Sequence, residues 1–132
     1  MADNERSVWS NYLPDIRATE HKPIKGTPMF SVVYSFDVKP EREQEFLDAW
    51  AFITRDFIRT RGSLGSRMHR DKQGRLVAIA LWPDRAAWEA KPTDPSPELK
   101  AARDTMMKAC ELLRTDRELE LVLDLWVSPP TN

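Results

Sequence analysis

Residues 62–90, GSLGSRMHRDKQGRLVAIALWPDRAAWEA, decide the fold because they predict a β-hairpin that runs directly into a helix. Residues 64–70 and 75–82 are the predicted strands, and Gly74 supplies the positive φ of the tight turn between them. Pro83 ends the second strand because it has no N–H group, and with Asp84 it suits the first turn of the helix. The hairpin therefore delivers Trp82 to the boundary between sheet and helix.

Segments on either side of the hairpin complete a recurring order of elements. Residues 30–38 alternate apolar and polar side chains, which predicts a strand, and residues 41–61 repeat apolar side chains at helical spacing. After the hairpin, residues 97–113 predict a second long helix and residues 118–127 a last strand. The order strand, helix, strand, strand, helix, strand predicts a ferredoxin-like α+β fold, an antiparallel sheet with helices on one face.

The second strand of the hairpin is apolar on both faces, which predicts an assembly. One face carries Val77, Ile79 and Leu81, and the other carries Leu76, Ala78, Ala80 and Trp82. One layer of helices covers only one face of a sheet, so the other face is expected to pack against its equivalent in a homodimer.

Composition limits the classes of function. The chain has 132 residues and a net charge of −1, which predicts one domain and no general attraction to nucleic acid or acidic membranes. One cysteine and two histidines leave no disulfide or metal cluster, and no apolar run is long enough for a membrane span, so a cytoplasmic protein is expected. Residues 1–28 predict an arm that packs on the domain or a partner subunit, or acts as a lid; residues 29–132 predict the domain.

The hairpin stretch resembles the antibiotic biosynthesis monooxygenase family, as does the segment VKPEREQEFLDAW at residues 38–50. Family members share a glycine before the second hairpin strand, a tryptophan that ends it, and an acidic turn into a helix. The resemblance covers about residues 29–127 and implies a dimeric α+β barrel. It also implies either a cofactor-independent monooxygenase for polycyclic aromatics or quinols, or a haem-degrading oxygenase.

Matching single positions separates these two branches of the family. Trp82 falls on the pocket tryptophan of the haem-degrading branch, but that branch has an asparagine where this chain has Tyr34 or Val33. It also has a histidine on the following helix, where this chain has Lys91 and Pro92. The cofactor-independent branch holds its substrate with asparagine, tryptophan and tyrosine. Tyr34 and Trp82 match two of these types, and the asparagine is missing. The sequence has no glycine-rich phosphate loop, metal cluster or suitably placed histidine, so no haem, flavin or metal cofactor is expected.

Seven residues are the candidates for a site that binds a small aromatic molecule. Tyr34 and Trp82 are expected to act on the substrate, and His69 is the candidate base. The candidates for ligand binding are Trp50, Ala78, Ala80 and Met106, because the small alanines leave space beside the tryptophans.

Each candidate also has an ordinary structural interpretation. The tryptophans and Met106 serve equally as core, the Tyr34 hydroxyl as a donor to a backbone carbonyl, and His69 as a surface residue. A basic run, Arg55, Arg59, Arg61, Arg67 and Arg70, is either a solvated face or a mouth that attracts an anionic substrate.

Two hypotheses remain: a cofactor-independent monooxygenase, and a non-catalytic dimeric barrel that binds a small ligand or serves assembly. A cavity of several hundred Å³ between Trp82 and the helices is expected for the first hypothesis.

Overall fold

The structure is a computed structural model that describes residues 29–127, so the predicted arm lies outside the described residues. The strands are β1 (Phe30–Val38), β2 (Gly65–Arg70), β3 (Leu76–Trp82) and β4 (Cys110–Glu120). The helices are α1 (Glu43–Arg61), which follows a 3-10 turn at Pro40–Arg42, α2 (Arg85–Glu89) and α3 (Pro97–Ala109). Described residues 29–122 form one compact unit, and residues 123–127 belong to a second.

The four strands form one antiparallel sheet in the order β2-β3-β1-β4, which confirms the ferredoxin-like fold. In β1 and β3, alternate residues face the helices and form the core. Phe30, Val32 and Phe36 on β1 are at most 1% exposed, and Phe46 on α1 is fully buried beneath them. Phe36 and Phe46 pack edge to face with ring centroids 4.9 Å apart.

The predicted hairpin and first helix are confirmed to within a residue or two at their ends. Gly62 caps α1 at φ 73°, and Gly74 takes φ 84° in the turn, both in the left-handed region that favours glycine. The start of α2 differs from the prediction. Asp84 is its N-cap residue and accepts a hydrogen bond from the Ala87 amide (2.8 Å), so Pro83 lies before the helix and not in its first turn.

The predicted bounds of the last helix and strand were wrong. Helix α3 ends at Ala109 instead of residue 113, and β4 runs over Cys110–Glu120 instead of residues 118–127. The Lys39 amide donates to the Ala109 carbonyl (2.9 Å), so the chain leaves the helix already paired with the end of β1. The ladder then ends where β1 begins, with Phe30 opposite Glu120.

Two irregularities hide this strand from sequence patterns. The register between β1 and β4 shifts between Val33 and Tyr34 and again between Asp37 and Val38. A β-bulge inserts an unpaired residue, so the alternation of apolar and polar side chains changes phase along β4. The regular leucine alternation after residue 118 therefore predicts a strand, whereas the residues that form β4 show no regular alternation.

Candidate functional site

A cavity of about 400 Å³ lies on the helix side of the sheet, between β1 and β3 and the helices above them. Its size is within the range of small-molecule sites, roughly 300–1,000 Å³. Five of the seven residues predicted from the sequence line it: Tyr34, Trp50, Ala80, Trp82 and Met106. Strands β1 and β3 supply Tyr34, Ala80 and Trp82, and helices α1 and α3 supply Trp50 and Met106 to this cavity.

The other two predicted site residues lie elsewhere. Ala78 is fully buried in the core cluster with Phe36 and does not line the cavity. His69 is exposed on β2, where side chains alternate between the two faces of the sheet. Ser66 on the same strand lines the cavity. His69 lies three residues after Ser66, so its side chain is on the opposite face of the sheet. The predicted base therefore does not meet Tyr34 or Trp82.

Trp82 is both buried and part of the cavity wall. Its side chain is 3% exposed, and its ring lies 6.0 Å from that of Phe57 on α1. The Arg61 guanidinium sits over the Trp82 ring at 4.7 Å and over the Phe57 ring at 4.4 Å. The tilted ring contact and the cation–π contact hold the indole of Trp82 against α1, so Trp82 forms part of the cavity wall.

The Tyr34 hydroxyl has a partner that directs its hydrogen. The Trp88 indole Nε1–H donates to Tyr34 Oη at 2.8 Å. An indole N–H is only a donor, so the tyrosine oxygen accepts and its own hydrogen is available to a ligand in the cavity. Burial raises the pKa of Tyr34 above its ordinary value, although the Trp88 hydrogen bond and the positive charge of Arg61 oppose this. The phenol therefore stays protonated near neutral pH and acts as a donor.

Arg61 connects the last turn of α1 to the end of α2. One of its terminal nitrogens donates to the carbonyls of Ala87 (3.3 Å), Trp88 (2.9 Å) and Ala90. Its Nε is buried and has no hydrogen-bond partner among the described residues. Burial lowers the pKa of Arg61, and the positive charge of Arg103 lowers it further. Arginine nevertheless remains charged, so a fixed cation faces the cavity.

Beside Trp50, the cavity wall carries a pair of hydroxyl groups, those of Ser66 and Thr54. The Trp50 indole Nε1–H donates to Ser66 Oγ at 2.9 Å, and the Ser66 and Thr54 hydroxyl oxygens lie 3.0 Å apart in a second hydrogen bond. The ring of Trp50 packs edge to face on that of Tyr34, with centroids 5.9 Å apart. Trp50 therefore links the aromatic floor of the cavity to this hydroxyl pair.

Sequence analysis missed Trp88, Ser66 and the role of Arg61. Trp88 lies on a five-residue helix, too short for a periodic pattern. Arg61 belonged to the predicted basic run, and of that run only Arg61 lines the cavity. A feature that points to Arg61 is its position directly before the glycine cap, where the chain turns back under the next elements.

Two further properties of the described residues bear on the class of site. No group of three or more histidine, cysteine, aspartate or glutamate side chains within residues 29–127 is arranged to hold a metal ion. In the same part of the chain, no helix is both long and apolar enough to cross a membrane.

Comparison with known proteins places this chain in a family. The sequence profile of the antibiotic biosynthesis monooxygenases matches residues 29–103, more than half of the 132 residues. The chain belongs to the antibiotic biosynthesis monooxygenase family. The matched region includes Tyr34, Trp50, Trp82 and Trp88, whereas Met106 lies beyond it. No curated protein matches the chain.

Solved structures share the fold of this family member. A Caulobacter crescentus protein named as a candidate antibiotic biosynthesis monooxygenase is 19% identical, with a TM-score of 0.56 over 74% of this chain and 92% of its own. A Bordetella bronchiseptica protein of the same description is 21% identical, with a TM-score of 0.58 over 73% and 99%.

SnoaB from Streptomyces nogalater, a cofactor-independent oxygenase, is 17% identical, with a TM-score of 0.53 over 77% of this chain and 99% of its own. At these identities the likeness extends to the fold, and the site must be judged on its own residues.

Proposed function

We propose that this protein is a cofactor-independent monooxygenase that acts on an aromatic or quinol small molecule in the Tyr34–Trp82 cavity. The observation that carries the proposal is the Tyr34 hydroxyl, which accepts from Trp88 and so offers its hydrogen to a ligand. Membership of the antibiotic biosynthesis monooxygenase family and the likeness to SnoaB support the reaction class.

The proposed chemistry uses the substrate as the electron donor. A ring methylene conjugated with a carbonyl on the opposite side of the same ring, as in an anthrone, loses a proton to solvent and gives an aromatic enolate. This anion transfers one electron to dioxygen, and the two radicals combine into a peroxide at the former methylene carbon, which then takes a proton from solvent. Loss of water then leaves a carbonyl, so the methylene and dioxygen become a quinone carbonyl and one water molecule. All electrons come from the substrate, so no bound redox group is required.

The cavity residues suit the anion on which this chemistry depends. The Tyr34 hydroxyl donates a hydrogen bond to the substrate oxygen and stabilises the negative charge that forms there. Arg61 adds a fixed positive charge to the same cavity, which lowers the pKa of a bound enol or phenol. The rings of Trp50 and Trp82 hold a flat substrate and exclude water from the reacting carbon.

Oxygen uptake with a panel of anthrones and hydroquinones tests this proposal. We expect the purified protein to carry no visible absorption band and to consume dioxygen only when substrate is added. Tyr34→Phe keeps the ring and removes the donor, so the rate should fall about tenfold to a hundredfold. His69→Gln is the control and should leave the rate unchanged, because His69 lies on the other face of the sheet.

A second function, binding without catalysis, is favoured by the lack of a free general base among the described residues that line the cavity. Among the described residues, no histidine lines it, and its carboxylate Glu89 lies 3.6 Å from Arg85 in an ion pair. In a protein of this kind, an aromatic ligand would bind and quench the tryptophan fluorescence, and no dioxygen would be consumed. Measuring both quantities on one sample separates the two functions.

We also propose that the protein is a homodimer that pairs the outer faces of two sheets. The outer face of β3 carries Ile79, which is 36% exposed, and that of β4 carries Leu112 and Leu119 at 47% and 46%. Light scattering at micromolar concentration should return about twice the 15.3 kDa of one chain. A stable monomer would contradict the proposal.

A further inference from the structure

Positively charged side chains outnumber negatively charged ones in the lining of the cavity. Among the described residues, three cationic side chains line it: Arg61 from the end of α1, Lys91 after α2 and Arg103 from α3. They face a single carboxylate among the described lining residues, that of Glu89, which is already engaged by Arg85. Within residues 29–127, neither Arg61 nor Arg103 forms an ion pair with a carboxylate.

Arg61 and Arg103 carry like charges and line the same cavity from different helices. The positive charge of Arg103 lowers the pKa of Arg61, in addition to the effect of burial. Placing two like charges in a partly desolvated space is unfavourable unless an anion lies between or beside them. In such a place, a ligand that brings a negative charge relieves this repulsion when it binds.

The aromatic and cationic parts of the cavity are contiguous. The Arg61 guanidinium lies against the rings of Phe57 and Trp82, so an aromatic ligand stacked on this wall ends beside a cation. Arg61 is held by the carbonyls at the end of α2, whereas Arg103 is exposed. A carboxylate attached to the ring system would lie beside both guanidinium groups. Arg103 can bind it with paired hydrogen bonds, whereas Arg61, whose Nη2 donates to backbone carbonyls and whose Nε is buried, contributes its positive charge.

We infer that the cavity selects aromatic substrates that carry an anionic substituent, and that Arg61 and Arg103 bind this substituent. The inference rests on the proposed function for the reaction, but its binding step is measured separately. The ligand class is an aromatic ring system with a carboxylate, in which the ring lies on the tryptophan wall and the carboxylate on the arginine pair.

Binding of two inert probes tests the inference without any reaction. Naphthalene carboxylate and naphthalene carboxamide have nearly the same shape, and only the first is charged at neutral pH. Tryptophan fluorescence should show the carboxylate binding about tenfold tighter or more, since hydrogen bonds to charged groups are the strong ones. Raising the salt concentration from about 0.05 M to about 0.5 M should weaken the binding of the carboxylate and leave the binding of the carboxamide unchanged.

Variants of Arg103 show whether its charge carries the preference. Arg103→Gln should reduce the discrimination between the probes to about threefold or less, and Arg103→Lys should retain most of it. Arg55→Gln is the matched control. Arg55 is exposed on α1 and lies outside the cavity, and its replacement removes the same positive charge. It should leave the discrimination at its original value.

The outcomes distinguish this inference from the proposed reaction. Equal binding of the two probes, or full discrimination in both Arg103→Gln and Arg103→Lys, would overturn the anion preference even if anthrones are oxidised. Tight, charge-dependent binding of the carboxylate with no oxygen uptake for any anthrone or hydroquinone of the panel would support the anion preference and overturn the monooxygenase. Failure of both probes to bind would overturn the inference outright.

Discussion

Replacing Tyr34 and Trp88 with phenylalanine, singly and together, measures the hydrogen bond on which the proposed site depends. Tyr34→Phe removes only the hydroxyl, and Trp88→Phe removes the indole N–H that donates to it at 2.8 Å. Both side chains are half-buried, so the bond is neither fully solvated nor sealed from water. A net contribution of about 1 kcal/mol is expected for a bond of this kind.

The magnitude follows from what each single change leaves behind. Tyr34→Phe leaves the Trp88 N–H without its partner, so its total cost should be about 1–2 kcal/mol. Trp88→Phe costs at least as much, because it also removes ring area packed on Phe30, where the centroids lie 5.6 Å apart. The double variant should cost about 1 kcal/mol less than the sum of the two, because the bond is lost only once.

Urea unfolding followed by circular dichroism gives the free energy of unfolding for all four proteins. Trp50→Phe supplies the control cycle: Trp50 touches the ring of Tyr34 edge-on, but its N–H donates to Ser66. Its coupling to the Tyr34 hydroxyl should be close to zero. A coupling between Tyr34 and Trp88 below about 0.3 kcal/mol, the usual error of additivity, would refute the assigned hydrogen bond.

Three further predictions follow from the same contacts. Trp82→Ala should cost about 2–3 kcal/mol, less than the roughly 3–5 kcal/mol expected for Phe46→Ala, because one face of Trp82 already borders the cavity; equal losses in urea unfolding would contradict this. Burial raises the pKa of Tyr34, so its stabilising effect should be present below about pH 10 and decline as pH rises through the folded value; the difference in unfolding free energy between wild type and Tyr34→Phe should shrink there. Asp84→Ala should cost about 1 kcal/mol through loss of the cap on Ala87, and Asp84→Asn should recover most of the melting temperature.

Patterns with a strong period were sufficient for most of the fold. The alternation in residues 30–38 and the helical spacing after residue 43 each reflect one buried face, which is why β1 and α1 match the prediction. Strand β4 failed the same test because two register shifts break its alternation and many of its side chains are exposed. Tertiary pairing with β1, which no local pattern records, decides where it starts.

The site was predictable where a side chain's strand position fixes its direction. Tyr34 and Trp82 occupy helix-facing positions of adjacent strands, so their common cavity followed from the strand order. Ala78 occupies the same face two residues before Ala80, but it is buried in the core cluster with Phe36 and Phe46. The alternation of side chains alone does not show at which of the two alanines space is left. Trp88 and Arg61 act through elements joined only in three dimensions, so sequence separation concealed their contact.

Oxidation of an anthrone under isotopically labelled dioxygen tests the central claim most directly. Mass spectrometry of the quinone should show one labelled atom in its new carbonyl, with the other label recovered in water. The product should form in protein stripped with a chelator, and Tyr34→Phe should slow its formation about tenfold or more. Unlabelled product, a requirement for added metal or flavin, or an unchanged rate in Tyr34→Phe would contradict cofactor-independent monooxygenation in this cavity.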